Sequence, residues 1–216
     1  MEPLDTVTAP PVVLPDADVD TDIIFPARFL LLLERNGLSR HLFHERRRPV
    51  PGQQPFVLDR PPFERAEILV AGRNFGCGSS REQAVWALAD FGIRAIVAPS
   101  FGEIFQANCF RNGLLPIPLD AEAHQRVLDA ATTGAPLEIS LERLEIGLPG
   151  RECIPFSVDP ERRRDLLLGR DEIETILGEE AEAIAAFEQR RRRSRPWLDL
   201  GEEELLYVRN LGSEDM

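Results

Sequence analysis

Residues 72–82, with the sequence GRNFGCGSSRE, bring three glycines, two serines and two arginines together in one short stretch. An apolar run at 68–71 precedes it and a helix-forming segment at 83–89 follows, so the order predicts a strand, a glycine-rich loop and a helix. The first N–H groups of a helix have no acceptor inside it, and the helix dipole is positive at that end. With the planar fork of Arg81 added, the stretch predicts a binding site for a carboxylate or a phosphate.

The same residues also have a purely structural interpretation. Ser79 and Ser80 would cap the helix, since serine is a favoured N-cap residue, and Arg81 and Glu82 would be a surface pair. The glycines would then only relieve backbone strain. A plain cap needs one serine and no pair of glycines. The presence of two serines and a pair of glycines in one turn therefore favours the anion site.

Three known loop motifs do not fit the sequence. A phosphate loop of the Walker type needs a lysine directly after its last glycine, where this chain has Ser79. The dinucleotide fingerprint G-x-G-x-x-G starts at Gly76 and Gly78 but meets Arg81 in place of its third glycine. A G-x-S-x-G nucleophile elbow is absent as well. The remaining interpretation is a carboxylate-binding site made of serine hydroxyls, backbone N–H groups and a guanidinium.

The elements around this loop alternate between strands and helices. Apolar strands are predicted at 67–71, 93–98 and 114–117. Between them, one helix runs through Phe91 and is stopped by Gly92, and another covers 102–111 and is capped by Asn112 and Gly113. Strands that are apolar along most of their length and alternate with helices pair in parallel, with both faces covered. The sequence therefore predicts an α/β fold.

Outside this region the predicted elements are shorter. Before it, we predict a strand at 12–14, an acidic loop at 16–22, a helix at 26–35 opened by Pro26, and an irregular connection at 46–62. After it, we predict a helix at 120–132 capped by Asp120, strands at 136–141, 143–148 and 152–156, and helices from Ser157 onward. The domain prediction is a single domain over 1–195, with its core at about 12–190, and a C-terminal tail at 196–216.

The charge and hydropathy of the chain exclude some classes of protein. Its 216 residues include 25 basic and 37 acidic ones, for a formal net charge of −12. Such an acidic chain is a poor general nucleic-acid binder, and the arginines at 190–193 are interpreted as a solvated helix end. No apolar run is long enough to span a membrane, and the N-terminus lacks the features of a signal peptide, so we expect a cytoplasmic protein.

Metal ligands are sparse in the sequence. Cys77, Cys109 and Cys153 are widely spaced, which argues against a disulfide framework and against an iron–sulfur cluster held by this chain alone. His41 and His44 are three positions apart but have no third ligand nearby, so they are interpreted as solvated polar residues. We expect this chain to hold no metal by itself.

Several segments resemble one family. Residues 74–82 resemble the signature of the swivelling domain of the aconitase superfamily, and within it the small subunits of 3-isopropylmalate dehydratase. Residues 20–30, DTDIIFPARFL, resemble the family's N-terminal D-T-D-x-I-x-P segment, and residues 100–108, SFGEIFQAN, resemble its S-F-x-x-I-F-x-x-N helix. Residues 112–116 and 184–188 match as well. The segments follow one another in the family's order, so the resemblance extends over most of the chain.

The resemblance implies a fold, a partner and a reaction. The fold is a swivelling β/β/α domain like the C-terminal domain of aconitase, and it closes over a large partner chain. That large subunit holds a [4Fe–4S] cluster through its own cysteines, and one iron acts as a Lewis acid on the leaving hydroxyl. The reaction moves a hydroxyl between adjacent carbons of a hydroxy acid by dehydration and rehydration, as between 2- and 3-isopropylmalate in leucine biosynthesis.

The same resemblance implies roles for individual residues. Ser79 matches the serine that removes the carbon-bound proton, and Asp22 matches an aspartate with a supporting role beside it. Ser80 and Arg81 match residues that hold a substrate carboxylate. A serine hydroxyl is a weak base, so its alkoxide needs stabilising donors, which the N–H groups at a helix start supply.

Some positions depart from the family pattern. Gln83 stands where a histidine is usual, and Leu31 and Leu32 stand where many isopropylmalate enzymes have basic residues. With Arg28, the leucines belong to residues 28–38, which resemble the segment that selects the variable group of the substrate. The leucines either pack or form a more apolar pocket. The alternatives are therefore citraconate or methylmalate, 2,3-dimethylmalate or homoaconitate as substrate, and, from another class, a non-catalytic RNA-binding relative.

Overall fold

The computed structural model describes residues 1–32, 34–199, 201 and 205. The chain divides into two compact units, of which the first runs from Met1 to Glu172 and the second begins at Ile173. No helix in the described ranges is long and apolar enough to cross a membrane. The predicted boundary between a domain ending at residue 195 and a tail stays a prediction.

The first unit contains two four-stranded sheets. The parallel sheet is made of four strands in this order: β2 (Val12–Leu14), β3 (Ile68–Ala71), β4 (Ala95–Ala98) and β5 (Leu115–Pro118). The antiparallel sheet is made of four others in this order: β1 (Thr6–Ala9), β6 (Leu137–Ser140), β7 (Glu145–Gly147) and β8 (Cys153–Pro155). The prediction of parallel pairing between the apolar strands is confirmed.

Helices connect and follow these strands. The α-helices of the described residues are α1 (Thr21–Ile24), α2 (Glu82–Phe91), α3 (Glu103–Arg111), α4 (Ala121–Thr132), α5 (Pro160–Leu168), α6 (Glu172–Glu179) and α7 (Ala181–Ser194). Helix α2 ends at Gly92, whose φ of 113° is left-handed, and the Asp120 carboxylate accepts the Ala123 N–H over 2.8 Å at the start of α4. Both of these boundary residues were predicted from the sequence.

The parallel sheet is the middle layer of the first unit. Successive side chains of a strand point to opposite faces, and β3 divides its side chains accordingly. Leu69 packs in a buried cluster with residues of α2 such as Leu88, whereas Ile68 packs in a second cluster with Ile139 and Ile146 of the antiparallel sheet. Because both faces are covered, the strands of this sheet are apolar along nearly their whole length.

The prediction of a helix over 26–35 is wrong. Among the described residues of this range, which leave out residue 33, the chain makes a short 3-10 helix at Ala27–Phe29, followed by turns. Its apolar residues Phe29 and Leu30 pack on the first buried cluster from an irregular backbone, so their spacing does not indicate a helix. Strand β1 was not predicted, and the segment interpreted as an acidic loop contains the N-cap of α1, where the Asp20 carboxylate accepts the Ile23 N–H over 2.7 Å.

Candidate active site

The parallel sheet brings three connections to one edge. Strands β2, β3 and β4 run in the same direction, so the segments that follow them, residues 15–22, 72–81 and 99–102, all start at their carboxyl ends. In open α/β sheets this edge is where ligands bind. The glycine-rich loop, residues 72–81, lies between the other two segments.

The segment after β2 holds the glycine-rich loop from one side. The Gly76 N–H donates to the Val19 carbonyl over 2.8 Å, and the Thr21 N–H donates to the Cys77 carbonyl over 2.9 Å. The Thr21 hydroxyl donates to the Ser79 carbonyl over 2.8 Å, although the two residues are 58 positions apart. These bonds fix the loop through its backbone and do not use the hydroxyls of Ser79 and Ser80.

The segment after β4 holds the loop from the other side. The Phe75 N–H donates to the Ser100 carbonyl over 3.1 Å, and the Gly102 N–H donates to the Phe75 carbonyl over 2.9 Å. The Asn74 N–H donates to the Ser100 hydroxyl oxygen over 3.0 Å. With both sides bonded, the loop is a rigid support for the residues at its end.

Replacing Gly76 with alanine is expected to lower the free energy of unfolding by about 2–5 kcal/mol. Gly76 has a φ of +72°, and an added Cβ would lie 2.2 Å from Cγ of Phe105. A left-handed alanine costs roughly 1–2 kcal/mol, and overpacking adds about 1–3 kcal/mol. Urea unfolding of the isolated chain measures the loss.

Gly134→Ala is the matched control for this change. Gly134 has a φ of +74°, but nothing lies within 4 Å of its added Cβ. Only the conformational cost of roughly 1–2 kcal/mol is therefore expected there. Equal losses in the two variants would contradict the close approach of Phe105 to the loop.

The two serines stand at the start of α2 without capping it. Helix α2 begins at Glu82, and its N-cap residue is Arg81, which makes no side-chain hydrogen bond to the helix end. Ser79 and Ser80 are both exposed. The interpretation of the serines as plain helix caps is therefore wrong, and their hydroxyls lie at the open end of the helix.

Arg81 is held by the segment after β2. Its side chain is 14% exposed and makes an ion pair with Asp22, and its Nη1 lies 3.4 Å from the Phe25 carbonyl oxygen. The hydrogen bond from Arg81, followed by the Ala27 N–H at 2.8 Å, lowers the pKa of the Asp22 carboxyl. Asp22 therefore stays ionised and fixes the direction of the guanidinium.

Glu82 does not pair with its neighbour Arg81, so the interpretation of these two residues as a surface pair is wrong. Its carboxylate accepts hydrogen bonds from the Asn112 side-chain amide over 3.0 Å and from the Trp86 indole over 3.3 Å. Asn112 is the C-cap residue of α3, so this network joins the first turn of α2 to the end of α3. Sequence reasoning found only the helix stop at Asn112 and missed the network.

Residues 27–32 lie beside the first turn of α2. The Gln83 side-chain amide donates to the Leu30 carbonyl over 3.5 Å. Arg28 makes an ion pair with Glu45, Leu32 packs on the first buried cluster, and Leu31 is 90% exposed. Simple packing therefore accounts for Leu32 but not for Leu31.

His41 and His44 form an aromatic cluster with Phe29. The ring centroid of Phe29 lies 4.1 Å from that of His41, which is stacked on it, and 5.0 Å from that of His44. Burial, followed by the charge of Arg40, lowers the pKa of His41, which favours its neutral form. Both histidines are half-buried, so they are only partly solvated, and their contact with Phe29 was not apparent in the sequence.

Comparisons with known proteins agree with this arrangement. The aconitase C-terminal domain matches residues 1–122, and the C-terminal domain of the 3-isopropylmalate dehydratase small subunit matches residues 179–200. The 3-isopropylmalate dehydratase small subunit of Paramagnetospirillum magneticum is 48% identical over 92% of this chain and 100% of its own length. This chain belongs to the family of 3-isopropylmalate dehydratase small subunits.

Other members of the 3-isopropylmalate dehydratase small-subunit family give the same result. The small subunit of Granulibacter bethesdensis is 48% identical over 91% of this chain and 96% of its own length. The crystal structure of 3-isopropylmalate dehydratase from Methanocaldococcus jannaschii superposes with a TM-score of 0.63 at 28% identity, covering 85% of this chain and 99% of that one. The predicted fold, the swivelling domain of the aconitase superfamily, is confirmed.

A dehydratase of the aconitase family implies an iron–sulfur cluster in the working enzyme. The described part of this family member contains no group of three or more His, Cys, Asp or Glu residues that could hold a metal. Cys109 is buried, Cys77 is half-buried in the glycine-rich loop, and Cys153 is exposed on β8. These three thiols do not fit a [4Fe–4S] cluster.

Proposed function

We propose that this chain is the small subunit of a cytoplasmic hydro-lyase that interconverts 2-isopropylmalate and 3-isopropylmalate in leucine biosynthesis. The enzyme is active only when its large partner chain, the large subunit, completes the site. The observation that carries the proposal is the turn of Ser79, Ser80 and Arg81 at the carboxyl edge of the sheet, in a chain 48% identical to small subunits of that name.

In this proposal Ser79 is the base that takes the proton from the carbon next to a substrate carboxylate. Its hydroxyl is at the exposed start of α2, where unpaired N–H groups and the positive end of the dipole stabilise an alkoxide. The proton returns from the same oxygen when water adds back to the double bond. Within the glycine-rich loop, Ser80 is the one other residue with a hydroxyl.

Arg81 and Ser80 hold the carboxylate beside that proton. One guanidinium nitrogen of Arg81 is engaged by Asp22, which leaves the rest of the fork to bind two carboxylate oxygens. This carboxylate gains negative charge as the proton leaves, so the arginine binds more strongly as the reaction proceeds. Asp22 supports the site by orienting Arg81.

We further propose that the iron–sulfur cluster belongs to the large subunit. The poor fit of Cys77, Cys109 and Cys153 to a cluster supports this assignment. Selectivity is assigned to Arg28, Leu31 and Leu32. Leu31 is the residue of this group whose exposure, 90%, makes it available to contact the isopropyl group in the closed complex.

Anaerobic co-expression with the matching large subunit tests the function. The absorbance of the unsaturated intermediate is followed with 3-isopropylmalate and, separately, with methylmalate, dimethylmalate and homoisocitrate-type acids. Highest kcat/KM with 3-isopropylmalate is expected, and preference for one of the other acids would move the assignment to that substrate. No turnover of any acid by a complex with full iron content would contradict the function.

A further inference from the structure

We infer that Thr21 is a positioning residue that aims two backbone N–H groups of the glycine-rich loop at the substrate carboxylate. The inference rests on the proposed function, because it names the substrate contact that Thr21 prepares. Thr21 lies on the side of the loop opposite to the proposed ligand, and it acts through the peptide groups that join Cys77 to Gly78 and Ser79 to Ser80.

Thr21 makes two hydrogen bonds to alternate carbonyls of the glycine-rich loop. Its N–H donates to the Cys77 carbonyl over 2.9 Å, and its hydroxyl donates to the Ser79 carbonyl over 2.8 Å. Thr21 is only 2% exposed, so water does not compete for these carbonyls from its side. Both carbonyls therefore face one buried residue.

The planarity of the peptide group fixes the direction of the N–H groups that follow these two carbonyls. In a trans peptide the C=O and the following N–H point in opposite directions. Since the Cys77 and Ser79 carbonyls face Thr21, the N–H groups of Gly78 and Ser80 point away from it. Ser79 and Ser80 are exposed whereas Thr21 is buried, so the side away from Thr21 is the open one.

The N–H groups of Gly78 and Ser80 are hydrogen-bond donors for the substrate carboxylate. Backbone N–H groups fixed before the ligand arrives stabilise developing negative charge without reorganising. The Ser80 N–H lies between the two serine side chains that the proposed function assigns to the base and to the carboxylate. The Thr21 hydroxyl can be removed by substitution with valine, which keeps the shape of the side chain.

The test compares Thr21→Val with Thr21→Ser in the assembled complex. Valine keeps the shape and removes the hydroxyl, so kcat/KM is expected to fall about 10- to 100-fold, mainly in kcat. Serine keeps the hydroxyl and is expected to stay within about threefold of the wild type. If T21V does not fold, Thr21→Ala replaces it, with the same expectation.

The matched control is Ser140→Ala, which removes a different buried hydroxyl. Ser140 is fully buried, and its hydroxyl oxygen accepts the Arg143 N–H over 3.2 Å. It lies on β6 of the antiparallel sheet, whereas the glycine-rich loop follows β3 of the parallel sheet. The melting temperature of the Ser140→Ala variant is expected to fall as that of T21V does, and its kcat is expected to stay unchanged. Equal loss of kcat in both variants, or none in T21V, would overturn the positioning role.

A second measurement does not depend on turnover. In the isolated chain labelled with ¹⁵N-serine, the amide signal of Ser80 is expected to move when malate is added to the wild type and to T21S, and to stay in place in T21V. An inactive wild-type complex would contradict the proposed function, while this titration still decides the inference. A malate-dependent shift of equal size in T21V would overturn it.

Discussion

Replacing Ser79 with alanine in the assembled complex is expected to lower kcat by about 10²–10⁴-fold and to leave KM within a few-fold. The substitution removes the oxygen that is proposed to take the proton but keeps the backbone, and the hydrogen bond from Thr21 to the Ser79 carbonyl is independent of the side chain. Substrate binding through Arg81 is therefore retained. Steady-state kinetics with 3-isopropylmalate measures the change.

Ser80→Ala serves as the comparison in the same turn. Ser80 is assigned to the carboxylate, so its loss is expected to raise KM more than it lowers kcat. Co-elution with the large subunit and an unchanged melting temperature establish that both variants assemble. A kcat for Ser79→Ala within threefold of the wild type would contradict the assignment of the base.

The Arg81→Lys variant is expected to lower kcat/KM by about 10- to 150-fold, through a higher KM and a lower kcat, since a charge-assisted hydrogen bond is worth roughly 1.5–3 kcal/mol. Lysine keeps the positive charge but lacks the fork, so it cannot pair with Asp22 and also bind two carboxylate oxygens. The lysine ammonium group can form an ion pair with Asp22 alone and then does not bind the substrate. Initial rates over a range of substrate concentrations measure the effect.

Arg73→Lys is the matched control, because Arg73 belongs to the same loop. Its side chain is 64% exposed and pairs with Asp18 at 3.0 Å on the surface. Such surface pairs contribute about 0–1 kcal/mol to the free energy of unfolding, and this pair does not contact Ser79 or Arg81. We expect kcat/KM within twofold of the wild type. A loss equal to that of Arg81→Lys would show a general effect of replacing arginine in this loop in place of a specific contact.

The parallel core could be predicted from the sequence because its signals are local. Unbroken apolar strands such as β3 and β4 occur where both faces of a sheet are covered, and the structure covers both. Gly92 and Asp120 mark helix ends through their own backbone or side chain, so neither depends on distant residues. These features needed no knowledge of the rest of the fold.

The remaining features depend on contacts that no local pattern records. Phe29 and its apolar neighbours pack on the core from an irregular backbone, so their spacing wrongly predicted a helix. The bond between Thr21 and Ser79 and the ion pair between Asp22 and Arg81 join positions nearly 60 residues apart. Only the resemblance to a family suggested Asp22, and nothing in the sequence suggested Thr21.

The connection between β2 and β3 separates two functions that natural selection can change independently. After α1 the chain leaves the carboxyl edge, carries the 28–38 segment, and returns to the sheet at Ile68. The backbone bonds between residues 19–21 and the glycine-rich loop do not involve this excursion. Under the proposed function, substitutions or insertions in the 28–38 segment alter which acid is accepted while the proton-transfer machinery is inherited intact. A single ancestral scaffold can in this way give rise to paralogues that differ in substrate but share one chemistry.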